Sequence, residues 1–187
     1  MESENSSATI GRVIQDFYDK HDFGEEGGIH EKYAWIKFGF FSIPILNVAA
    51  RKNNVYLHDI SHIVTGYDTT WKGESAVSAW EIAAGGWANL YLPWVLTLWA
   101  MGLGVVFYPS NILSAFKRGR TMNNALTSGL SKKDMYALSV SDFKQIISNK
   151  PKRNKNPYLW MFVALCTFLA PFAIGMLAIW MLIEVFC

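Results

Sequence analysis

Apolar residues recur at helical spacing in the first part of the chain and crowd into long unbroken runs in the second. Ile10, Val13, Ile14 and Phe17 share one face, which predicts a helix from Ile10 to about Lys20. The stretch from Phe23 to Gly28 reads as a loop, and residues 1–8 as a disordered polar tip. Lys32 to Ile43 is apolar and aromatic until Pro44 interrupts it. One or two helices are expected from Pro44 to Gly66, with Gly66 a natural C-cap. Asp68, Thr69 or Thr70 can cap the next helix, expected from about Trp71 to Asn89.

No charged residue occurs from Ile82 to Phe116. The densest part, LPWVLTLWAMGLGVVFY at 92–108, is 17 residues long. That is the lower limit for crossing a bilayer. It fits a core helix, a membrane-surface helix or a second span, and the first two are favoured. Tyr158 to Ile183 is a clearer signal, with 26 residues and no charge. A bilayer core needs about 20 helical residues. Pro171 is expected to kink this helix; the competing expectation is a buried helical hairpin broken at that proline. Lys150, Lys152, Arg153 and Lys155 precede the run. The positive-inside rule keeps such a cluster cytoplasmic, and Tyr158 and Trp160 fall where an interfacial aromatic belt belongs.

The expected architecture is therefore all-α: a helical bundle domain at 9–149 carrying a metal site, a basic connector at 150–157, and one C-terminal transmembrane helix at 158–183. This is the plan of a single-pass, tail-anchored membrane protein whose N-terminal domain is cytoplasmic. The 187 residues suffice for one domain and an appendage. An apolar fraction of 51% suits membrane attachment, and a net charge of +2 is too small to argue for nucleic acid. Cys166 and Cys187 form neither a disulfide framework nor a metal site. The polar start MESENSSAT does not resemble a signal peptide.

The candidate chemistry lies in HDISHIVTGYDTTWKGE, residues 58–74. Two of the chain's four histidines fall there, beside a carboxylate. Successive helical side chains turn by about 100°, so His58, Asp59 and His62 lie on roughly one side. Two imidazoles and a carboxylate can bind a divalent cation, and Glu74 can close the site from the next helix. The alternatives are a surface histidine pair, an ion pair from Asp59 to Arg51 or Lys52, and a helix-start charge at Glu74. Glu81 shares a face with Glu74 and is a candidate acid–base residue, although a surface charge is the favoured reading. Lys117 or Arg118 can contact a lipid phosphate or other anionic headgroup. In the zincin motif a Glu follows the first His as general base. Asp59 here is instead read first as a ligand or as a group orienting one, and second as a base. Four histidines are too few for a membrane di-iron oxygenase, and the paired Glu-x-x-His motifs of carboxylate di-iron bundles are absent.

The spacing His-Asp-x-x-His-x(11)-Glu resembles the signature of the coenzyme Q (ubiquinone) biosynthesis protein 4 family. Residues 63–80 look like the family's loop and following helix, with Gly73 just before the ligand Glu. IGRVIQDFYDKHDF upstream, and AFKRGRTMNNAL and ALSVSDFKQIIS downstream, are similar more loosely, so the resemblance covers about residues 9–149. It implies a mostly helical protein with a metal, usually zinc, on His58, Asp59, His62 and Glu74; iron or manganese also suits such ligands. It implies action on the ring of a polyprenylated benzoate-type intermediate, by oxidative decarboxylation at the first ring carbon. The implied partners are a prenylated quinone precursor, a membrane and other quinone-biosynthesis enzymes; a homo-oligomer is compatible with it. A second implied role is a non-catalytic prenyl-lipid-binding adaptor of the biosynthetic complex. A metal-dependent lipid hydrolase is a further alternative, disfavoured by the lack of a Glu after His58. Two departures stand out: Asp68-Thr69-Thr70 replaces the family's frequent Pro-Thr-Asn, and an apolar tail follows the core.

Overall fold

A computed structural model describes residues 7–38 and 41–186. Most of the expected polar tip, residues 1–6, lies outside them, as does Cys187. The contacts divide the chain into two compact units. One contains residues up to Gly66 together with Asn123–Lys150, the other Tyr67–Met122 together with Pro151 onward.

In the first unit α1 spans Ile10–His21. The Thr9 side chain caps its start by accepting from the Arg12 backbone N–H at 3.4 Å. Ile10, Val13 and Ile14 are buried as the spacing predicts, while the stripe closes on buried Tyr18 and Phe17 is only half-buried. Two short helices, α7 (Lys132–Ala137) and α8 (Val140–Ile147), complete this unit. Each starts at a serine whose hydroxyl accepts from the N–H of an aspartate three residues on. The Ile10 N–H donates to Leu138 O at 2.9 Å, tying α1 to the α7–α8 junction.

Residues 33–46 form an antiparallel hairpin of β1 (Tyr33–Phe38) and β2 (Phe41–Leu46), so the helix expected from Pro44 onward does not begin there: Pro44, Ile45 and Leu46 are strand. Pro44 sits in β2 opposite Trp35. A two-stranded sheet has only edge strands, the positions in a sheet where proline is tolerated. Asn47 fastens the hairpin's base, its side-chain amide donating to Gly28 O at 2.8 Å and Glu31 O at 2.9 Å. Two helices follow, α2 (Ala49–Lys52) and α3 (Val55–Thr65). α3 ends as expected at Gly66, which adopts φ +77° and donates its N–H to His62 O at 2.8 Å.

In the second unit α4 spans Trp71–Ala83. Thr70 is its N-cap, accepting from the Gly73 N–H at 3.3 Å. Gly73 is required there, because a Cβ would collide with the Asp68 carbonyl that leads into the cap. α4 stops six residues before the expected Asn89. Gly85 and Gly86 take φ +136° and +77°, which a continuing helix does not allow. α4 is buried on nearly every side against α5 (Tyr91–Phe107) and α6 (Pro109–Gly119). Its alanines, serines and Trp80 fill that space.

α9 runs unbroken from Pro157 to Phe186 and contains Pro171 without interruption. The hairpin alternative is thereby excluded. Among the described residues this is the one helix long and apolar enough to cross a membrane, and little of it is buried. The basic connector is not a free patch. The Arg153 guanidinium donates to Met122 O, and Lys155 Nζ donates to Ile82 O near the end of α4. Burial, and then the neighbouring Arg153 charge, push the Lys155 amine down to about 8.

Candidate metal centre

One helical turn on α3 brings two ring nitrogens together. His58 Nε2 and His62 Nε2 are 3.2 Å apart, with the rings nearly perpendicular at 88°. His62 is 3% exposed and His58 is half-buried. Glu74 stands in the first turn of α4 and is half-buried. Among the described residues, His58, His62 and Glu74 form a group that can hold a metal ion, with one ligand atom from each within 4.8 Å of the others.

The donor set fits a divalent cation. Two nitrogens at the usual 2.0–2.1 Å from a tetrahedral zinc lie about 3.3 Å apart. The observed 3.2 Å is close to that separation. An N–H···N hydrogen bond between the rings produces a similar distance; with Glu74 in the group, the donor set is one that could hold a cation.

Asp59 falls outside this group. It is 6% exposed, and its Oδ2 accepts from the Tyr18 hydroxyl at 3.0 Å. Burial raises the Tyr18 pKa strongly, and the Asp59 carboxylate raises it further, so the phenol keeps its proton and remains the donor. Tyr136 is pushed up to about 12, first by burial and then by Asp59. Arg51 is lowered by burial and pulled back by Asp59 and Tyr18. Arg51, one of the two cations the sequence offered to Asp59, thus feels that carboxylate's charge, while its guanidinium donates to Asn47 Oδ1 at 2.9 Å.

Phe17, the neighbour of Tyr18, stacks on His62 with centroids 5.9 Å apart and planes 25° apart. Adjacent residues of α1 therefore brace two residues of the motif. Sequence reasoning placed Phe17 only on the helix's apolar face and gave Tyr18 no role. The available signal was a tyrosine inside the buried stripe of α1, since a buried hydroxyl needs a partner.

Glu81 is not a surface charge: it is fully buried in α4. It lies two turns beyond Glu74, about 10 Å along the axis. Arg118 is exposed near the end of α6, with its guanidinium 5.8 Å from the centre of the Tyr67 ring. It is not part of the His58, His62 and Glu74 group. No protein-family model, curated protein or solved structure matches the chain.

Proposed function

We propose that this is a membrane-anchored, metal-dependent protein of ubiquinone or related prenylquinone synthesis, acting on the ring of a polyprenylated benzoate-type intermediate. The observation that carries the reading is the convergence of His58, His62 and Glu74. Its support in sequence is the His-Asp-x-x-His-x(11)-Glu spacing, and the reaction that spacing points to is oxidative decarboxylation at the first ring carbon. A divalent cation held there, zinc foremost with iron or manganese also suited, supplies Lewis acidity towards a ring carboxylate or phenolate.

The chain's own residues have separable parts in this reading. His58 and His62 present Nε2 to the cation and Glu74 presents a carboxylate oxygen. Phe17 fixes the plane of the His62 ring. Asp59 Oδ2 holds the Tyr18 hydroxyl proton in place and orients the helix that carries both histidines. Glu81 remains a candidate proton carrier, and Arg118 a candidate for an anionic headgroup. α9 keeps the protein where a polyprenylated substrate resides, with the 150–157 segment on the cytoplasmic side.

A second reading is an adaptor in which the metal is structural. The burial of His62 and Asp59 favours it, because structural sites are closed and catalytic ones keep an open position. The deciding experiment measures metal per chain in detergent-purified protein, then turnover of a prenylated hydroxybenzoate. Stoichiometric metal with metal-dependent turnover supports the enzyme. Stoichiometric metal with lipid binding and no turnover supports the adaptor. Protein never exposed to chelator that holds no metal sinks both.

A further inference from the structure

α5 and α9 lie side by side and run in the same direction. Trp94 stacks on Trp160 at 5.7 Å and 14°, and Trp99 meets Phe168 at 5.3 Å. Gly102 backs onto Ala164 and Phe168 so closely that a Cβ would collide with the Ala164 carbonyl. Rising numbers on one helix thus match rising numbers on the other.

The outward face of this pair is apolar and bare. Tyr91, Val95 and Phe107 are exposed on α5, at 83%, 54% and 63%, and Tyr158, Leu159 and Phe162 are exposed on α9. Leaving such side chains in water forfeits the free energy that burying them would release. Neither threonine of the pair leaves its hydroxyl bare: Thr97, itself buried, donates to Pro93 O at 2.8 Å, and half-buried Thr167 donates to Val163 O at 2.9 Å. That arrangement satisfies polar groups where no water is available. Charged groups lie near both ends of α5. Lys155 lies over the Trp160 ring at 5.4 Å beside its start. Near its end, Asn111 donates to Lys72 O, close to where Gly104 backs onto Ser75 and Ile112. The bare face also continues without a break into residues 169–186 of α9, all exposed and apolar except Glu184.

We propose that this outward face is a bilayer contact: lipid acyl chains cover α5, and two helices rather than one hold the chain to the membrane. Continuity with α9 argues for lipid over a second copy of the chain, since an interface between copies in water carries a polar rim. The inference rests on reading α9 as a membrane span, and the test separates the two.

Full-length protein carrying Cys166→Ala and Cys187→Ala is reconstituted into phosphatidylcholine–phosphatidylglycerol vesicles. Single cysteines at Val95, Phe107, Leu177 and Gln15 carry a nitroxide. Collision with oxygen, which partitions into acyl chains, is compared with collision with a water-soluble nickel chelate. The expected result is that 95 and 107 match 177, with oxygen dominant, while 15 favours nickel. Nickel dominance at 95 and 107 with oxygen dominance at 177 overturns the inference and leaves the anchor standing. Nickel dominance at 177 overturns both. Shielding of 95 and 107 from both reagents, with spin–spin broadening, assigns the face to a second copy and overturns the lipid contact.

Discussion

The hydroxyl of Tyr18 donates to Asp59 Oδ2 at 3.0 Å across 41 positions of chain, and both groups are buried. This bond joins α1 to the motif helix next to His58. Replacing Tyr18 by Phe keeps the shape and removes the donor. Loss of a buried partner to a charged group costs about 1–3 kcal/mol. The midpoint of chemical unfolding should fall accordingly. If Asp59 orients the site, metal affinity should also drop about 10-fold or more. Unchanged affinity in Tyr18→Phe, with stability reduced, would confine the pair to a structural role.

Local signals made α3 and α4 legible. Gly66 and Thr70 punctuate the chain where a left-handed cap and a side-chain acceptor are needed, and Glu74 follows in the first turn. The hairpin at 33–46 was missed because Pro44 reads as ending one segment and starting a helix, although an edge strand tolerates a proline. The burial of Glu81 was invisible for a different reason. Its heptad relation to Glu74 shows which face it shares, but not that α5 and α6 leave α4 almost no solvent face. Tyr18 with Asp59, and Lys155 with Ile82, pair residues far apart in sequence, and no periodicity reports such a pairing.

Gly102 allows α5 and α9 to approach until backbone meets backbone. Gly102→Leu places four carbons where the Ala164 carbonyl and Phe168 stand. Overpacking of this kind costs about 1–3 kcal/mol. Gly175→Ala is the matched control, since nothing lies within 4 Å of a Cβ there. Thermal unfolding in detergent should show a lowered midpoint for the first variant and little change for the second. Equal midpoints would mean that the close approach contributes nothing to the fold.

Lys155 has a definite pH signature. Its amine is lowered from 10.5 to about 8 in the folded chain. Between those values the unfolded chain binds the extra proton, so stability rises with pH through that window. The contribution is fully present above 10.5 and is lost as pH falls through about 8. Lys155→Gln should abolish this part of the slope. The readout is the difference in unfolding midpoint between wild type and variant across the window, which cancels the titration of Tyr136. A constant difference would show that the folded amine titrates as it does in the unfolded chain.

A metal that binds only the folded state stabilises it by mass action. At a free concentration 100-fold above its dissociation constant the gain is about 2.7 kcal/mol. Chelator should therefore lower the unfolding midpoint of wild-type protein, and added zinc should restore it. His62→Ala removes one of the two converging ring nitrogens and should abolish the response. Glu74→Gln keeps the shape and removes the charge, so it should weaken the response. His30 is exposed and outside the group, and His30→Ala should respond like wild type. Asp59→Asn separates the two parts open to that carboxylate. An orienting Asp59 leaves metal stoichiometry intact and shifts the zinc titration to higher concentration. A ligating Asp59 costs the bound metal itself, as His62→Ala does. A wild-type midpoint indifferent to chelator and zinc alike would remove the metal centre, and Tyr18, Asp59 and Phe17 would then brace a histidine pair that serves the fold alone.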